Sequence, residues 1–207
     1  DEAAAYVGFL ALEDRLRALG GALCVAEPEP VGSDALAAEG LYDAALQLRQ
    51  GGGAVGSGIA LDGARLVMVT GANQGGKTTF LRALGLAQLL MEAGAMVPAR
   101  SVRAAVAGGV YSHFSRSEAD GTRSGKLDEE LERIRAIAER LVPGDLVLMN
   151  ESLSSTNERE GSEIAQGIVT AFADAGVRVV VVTHLRDLVA ALETAGRSDL
   201  AFLTAER

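Results

Sequence analysis

Residues 71–78 read Gly-Ala-Asn-Gln-Gly-Gly-Lys-Thr, which satisfies G-x-x-x-x-G-K-[ST]. The octapeptide stands between an apolar run, 65–70, and a segment of helical composition, 78–93, that stops at Gly94. A strand that ends in a glycine-rich turn and opens into a helix aims backbone N–H groups and a helix N-terminus at one point. Such a point holds an anion. Lys77 would reach the β- and γ-phosphates of a nucleotide, and the Thr78 hydroxyl would hold Mg²⁺. The plainer alternative is a glycine-rich strand–helix turn with a surface lysine, and the flanking strand and helix weigh against it.

The rest of the chain alternates in the same way. Residues 59–61 and 65–70 read as short strands joined by a turn at Asp62-Gly63, and 95–126 as loops and short strands. A helix over 127–142 is expected from Leu127, Leu131, Ile134, Ala138 and Leu141 on one face, with Pro143-Gly144 to break it. Strands at 145–149, 177–182 and 200–205 alternate with helices at 159–175 and 185–195. Apolar strands between helices argue for a mostly parallel sheet. Upstream, 1–20 reads as an amphipathic helix and 21–58 as irregular, the glycine cluster 51–58 being a flexible loop.

Composition narrows the function classes. A net charge of −9 is the wrong sign for a nucleic-acid-binding footprint, so DNA contacts would lie mostly in other domains. No apolar run reaches the ~18 residues that a membrane helix needs, so no membrane partner is expected. Cys24 is the one cysteine; it permits no internal disulfide, suits a reducing compartment, and reads as a small buried hydrophobe. The acidic start Asp-Glu-Ala-Ala-Ala and the stop just after the last strand read as an excised piece of a longer chain.

The stretch Thr70-Gly-Ala-Asn-Gln-Gly-Gly-Lys-Thr-Thr-Phe80 resembles the phosphate loop of the MutS mismatch-repair ATPases, T-G-x-N-x-G-G-K-[ST]-[ST], and Val97-Pro98-Ala99 matches a tripeptide that follows it there. The resemblance covers roughly 40–205. It implies an α/β fold of the P-loop NTPase, ABC-type ATPase kind: a mostly parallel central sheet flanked by helices and preceded by a short helical segment. Residues 1–40 would end a preceding core and 41–207 would form the ATPase domain. Gly71, Asn73, Gly75, Gly76, Lys77, Thr78 and Thr79 would bind the nucleotide, with Asn73 on the γ-phosphate.

Further motifs follow in family order. Ser124-Gly125 would be the loop that touches a γ-phosphate held by a second subunit; a simple helix start is the alternative. It departs from the family's S-T-F-M-x-E by continuing Leu127-Asp-Glu-Glu-Leu, three acids expected in the first helical turn. The run 146–149 delivers Asn150-Glu151, where the family has Asp-Glu: Glu151 would be the base for the attacking water and Asn150 would steady a Mg²⁺-bound water. Ser154-Ser-Thr156 resembles the turn that crosses the dimer interface. His184, ending the last buried strand in Thr183-His184, would contact the γ-phosphate. His113, in Tyr-Ser-His-Phe, has no such context and reads as loop structure. The family's adenine-stacking aromatic has no counterpart near the glycine cluster, and Tyr42 is the candidate replacement.

The implied protein is a cytoplasmic bacterial ATP- and Mg²⁺-dependent ATPase, a homodimer that sandwiches two nucleotides and acts on DNA through domains outside this chain. Two other readings stand beside it. One is a nucleotide-gated dimerisation module with little hydrolysis, because Asn150 lacks the charge of an aspartate. The other is a transporter ATPase, disfavoured because the chain has no L-S-G-G-Q.

Overall fold

The computed structural model describes residues 2–72, 75–115 and 123–205. The elements, in order, are α1 (Glu2–Ala18), β1 (Glu27–Glu29), β2 (Leu36–Leu41), α2 (Ala44–Gln50), β3 (Ser57–Ala60), β4 (Leu66–Gly71), α3 (Lys77–Glu92), β5 (Ser101–Ala105), β6 (Val110–Phe114), α4 (Arg123–Ala138), β7 (Leu146–Asn150), α5 (Glu158–Asp174), β8 (Arg178–Val182), α6 (Arg186–Ala195) and β9 (Leu200–Ala205). They fall into two compact units, residues 1–63 with 78–106 and residues 64–77 with 107–207.

The second unit is an α/β layer. Its sheet has the order β6-β7-β8-β4-β9, and every neighbouring pair is parallel. The valines of β8 and the residues of β4 and β7 are buried nearly throughout, as expected for strands covered on both faces. Its core joins Leu66, Met68, Val147, Met149, Val179 and Val181 to Val169 and Phe172 of α5 and to Leu188 and Leu192 of α6. On α4, Ile134 is buried and Leu127, Leu131 and Ile137 pack beside the core, as does Leu141 just past the helix, whereas Ala138 is exposed. The apolar face is therefore close to the expected one, turned by a residue near its end.

In the first unit a four-stranded sheet runs β1-β5-β2-β3, with β1 parallel to β5 and β2 antiparallel to both β5 and β3. Leu84, Ala87 and Met91 of α3 and Leu36, Leu41 and Val102 of the sheet line one small apolar cavity. The stretch 21–58, expected to be irregular, contains β1, β2, α2 and the start of β3. Its helix is short but fully capped: Asp43 accepts from Ala45 and Leu46 N–H, and Gly51 closes it at φ 72°. The glycine cluster is likewise specific structure. Gln47 donates to Leu19 O and accepts from Ala54 N, and a Cβ on Gly56 would stand 2.7 Å from Gly40 O. Strands β3 and β4, though nearly consecutive, belong to different sheets. In α1, Leu16 is buried and Leu12 packs beside it, while Tyr6, Val7 and Leu10 are exposed.

Candidate functional site

Strand β4 ends at Gly71, at the C-terminal edge of the parallel sheet, and α3 begins at Lys77. Glycine is required there by space as well as by conformation. Gly71 has φ 119°, and a Cβ on it would lie 2.7 Å from Ala205 O in the adjoining β9; Gly76 has φ 82°. Lys77 is buried despite its charge, and its Nζ donates to Gly71 O at 2.8 Å and Ala72 O at 3.0 Å. The ammonium is thus held inside the turn by the carbonyls of the turn itself. Thr78 and Thr79, partly exposed, are the next two residues of α3. Asn73, expected on the γ-phosphate, lies outside the described residues.

Next to β4 across the sheet come β8 and then β7. Their registers align Val69, Val182 and Asn150 in one row, so Glu151 follows Asn150 about two strand spacings, roughly 10 Å, from the β4 end. The Asn150 side chain is buried at that edge. Glu151 N–H donates to Val182 O at 2.8 Å, and its backbone is left-handed at φ 54°. From the end of β8 the chain passes Thr183, whose hydroxyl accepts from Leu185 N, to His184. His184 Nε2 donates to Glu151 Oε1 at 2.9 Å, with the imidazole 47% and the carboxylate 23% exposed. Two residues 33 positions apart, each just past a strand end, are brought together by the adjacency of β7 and β8.

The turn after Glu151 is tightly made. Leu153 is also left-handed, at φ 61°, and wholly buried. Ser154 Oγ donates back to Glu151 O, and Ser155 Oγ donates to the buried Glu130 of α4 at 2.8 Å. Asn157 caps α5 by accepting from Glu160 N. Gly161 lets the helix approach so closely that a Cβ would meet Leu153 O at 2.6 Å.

Three expectations shift. Ser124 and Gly125 lie inside the first turn of α4 rather than ahead of it, because the helix starts at Arg123. The acids Asp128, Glu129 and Glu130 therefore fall in its second turn, where Glu130 faces inward to Ser155. Gly125 is exposed. Tyr42 offers no ring face for stacking: it is 5% exposed, clustered with Leu16 and Ala44, and its hydroxyl sits where a Cβ on Gly21 would be. Val97 and Ala99 are buried too, and Pro98 O accepts from Tyr42 N, which makes Val97-Pro98-Ala99 part of the same packing.

The residue that sequence reasoning passed over is His113. It sits on β6, not in a loop, is 2% exposed, and places Nδ1 2.7 Å from Ser152 Oγ. Burial pushes its imidazole down to about 4, and the Arg133 charge adds to the shift. Arg133 reaches the same strand end, donating to Phe114 O. Only strand alternation in Tyr-Ser-His-Phe hinted that its histidine could face inward.

The profile of MutS domain V matches residues 67–205. The chain belongs to the MutS family. It is 34% identical over 136 residues to Endonuclease MutS2 of Thermus thermophilus, covering 65% of this chain and 18% of that protein. Over 151 residues it is 35% identical to Endonuclease MutS2 of Anaeromyxobacter sp., covering 69% of this chain and 18% of the relative. DNA mismatch repair protein MutS of Chloroflexus aurantiacus is 28% identical over 141 residues, 66% of this chain and 15% of that protein. The chain thus spans less than a fifth of these relatives. Among the described residues no helix is long and apolar enough to cross a membrane.

Proposed function

We propose that this MutS-family domain binds and hydrolyses ATP, and that the cycle drives a dimer switch acting on DNA through other domains. The observation that carries the reading is the Glu151–His184 pair, two strands from a glycine turn that buries Lys77. A carboxylate at the mouth of a parallel sheet, held by an imidazole N–H, is aimed to take a proton from water attacking a phosphate seated on the turn. In the hydrolysis ATP + H₂O → ADP + phosphate, that proton passes to Glu151 Oε. Lys77 would exchange its carbonyl partners for phosphate oxygens, and the backbone N–H groups of 71–77 would supply the remaining donors.

The donor set suits Mg²⁺ carried in with a nucleotide. Among the described residues no group of three or more His, Cys, Asp or Glu could hold a metal alone, and Mg²⁺ in phosphate sites takes few protein ligands. Thr78 would offer its hydroxyl to the ion, and Asn150 its amide oxygen through a water. Bound there, the ion would neutralise charge developing on the phosphates. Ser124-Gly125 of a second copy would complete the site in a homodimer. The names of the relatives point to DNA as the target, a mismatch for one and an endonuclease substrate for the other.

Single-turnover ATP cleavage tests the proposal. Lys77→Ala is expected to lose nucleotide binding, and Glu151→Gln to bind ATP without cleaving it. Asn150 favours one second reading, a nucleotide-gated dimerisation module: equally negligible cleavage by the wild type and Glu151→Ala, with ATP-dependent dimers in both, would replace the enzyme by that module.

A further inference from the structure

Glu151 and Leu153 are both non-glycine residues with positive φ, and the residue between them is Ser152. Each such conformation is strained and persists only where its surroundings over-determine it. The anchors can be read one by one. Glu151 is tied by its N–H to Val182 O and by its carbonyl to Ser154 Oγ. Leu153 is fixed by complete burial and by the close approach of Gly161. Ser152 is buried, and its hydroxyl lies 2.7 Å from His113 Nδ1. The register of β6 on β7 pairs His113 with Met149, two positions before Glu151. The imidazole therefore reaches the turn from the neighbouring strand and meets the residue that stands between its two left-handed positions.

We propose that His113 is a positioning residue for the hydrolytic site: by holding the Ser152 hydroxyl it fixes the left-handed turn that aims the Glu151 carboxylate at His184. The proposal rests on Glu151 being the base. It assigns His113 no proton to transfer and no contact with nucleotide. Its geometry needs the Nδ1 position alone, since Nε2 is buried and makes no hydrogen bond among the described residues. Asparagine places an amide atom near the Nδ1 position, whereas glutamine extends toward Nε2.

The test measures single-turnover ATP cleavage and nucleotide Kd in the full chain for wild type, Glu151→Gln, His113→Leu, His113→Asn, His113→Gln and Ser152→Ala. Loss of aim without loss of binding predicts a cleavage rate at least about tenfold lower in His113→Leu and Ser152→Ala, with Kd little changed. The His113→Leu/Ser152→Ala double variant should be no slower than either single, because both break one contact. His113→Asn should recover most of the rate and His113→Gln should not. Should His113→Leu fail to fold, Ser152→Ala and the Asn/Gln pair carry the decision. Wild-type rates in folded Ser152→Ala and His113→Gln would overturn the proposal while leaving the ATPase reading intact, since Glu151→Gln would still be dead. Losses that follow melting temperature in His113→Asn and His113→Gln alike would overturn it too. A wild type no faster than Glu151→Gln would remove the ATPase reading and this proposal with it.

Discussion

Glu130 of α4 and Ser155 of the turn after β7 are joined by a hydrogen bond of 2.8 Å, with the carboxylate buried. The bond ties the helix that begins with Arg123-Ser124-Gly125 to the segment that follows Glu151. Because a buried acceptor left without its donor costs about 1–3 kcal/mol, Ser155→Ala should destabilise the chain by that amount. Glu130→Gln, which keeps an acceptor oxygen, should cost less. Thermal unfolding is the measurement, at roughly 2–4 °C per kcal/mol for a chain of this size.

Two glycines of α5 should respond in opposite directions. A Cβ on Gly161 meets Leu153 O at 2.6 Å, whereas one on Gly167 meets nothing within 4 Å. Gly161→Ala must push the helix off the turn, at a cost of about 1–3 kcal/mol, and should slow ATP cleavage. Gly167→Ala removes helix-interior glycine and should stabilise by about 0.5–1 kcal/mol. Chemical denaturation of the two single variants decides it.

Replacing Asn150 by aspartate restores a charge at a buried strand end. In the absence of a divalent cation the variant should melt lower than wild type, because a desolvated carboxylate lacks its counter-charge. Added Mg²⁺ with ATP should recover the loss by binding the folded state. The Mg²⁺ concentration for half-maximal cleavage should fall, by roughly tenfold if the first acid acts as a coordinating-shell partner.

His113 sets a pH dependence of stability. Its imidazole titrates near 6.5 when unfolded and is held down to about 4 in the fold, chiefly by burial. Between these values the unfolded chain binds a proton that the folded chain refuses. Stability is thus fully present above pH 6.5 and is lost as pH falls toward 4, with a slope of no more than ~1.4 kcal/mol per pH unit. Urea midpoints from pH 7 to 4 should show this slope, and His113→Asn should flatten it.

Local patterns were legible wherever one segment carries its own physical reason. The turn 71–78 combines glycines that only particular conformations need with a lysine at its end, and the valine run of β8 announces a strand covered on both faces. Helix boundaries came within a few residues, except at α4, where a polar first turn hid a start at Arg123. Strand β2, Leu-Ala-Ala-Glu-Gly-Leu, is illegible in the sequence because small residues and a glycine mask its alternation, and α2 because seven residues show no period.

The sequence by itself determined that this chain builds a glycine-rich turn ending in a lysine on a parallel sheet, followed in order by a strand-end acid and a strand-end histidine. Those properties are contiguous in the chain, so spacing and residue type carry them. Only the tertiary structure decided that Tyr42 is core, that the glycine cluster is ordered packing, that Glu130 faces Ser155, and that His113 stands beneath Ser152. Each of these depends on which strands and helices become neighbours. A partner 25 or 39 positions away leaves no periodic trace, because its hydrogen bond exists only once strand order and register have set the distance.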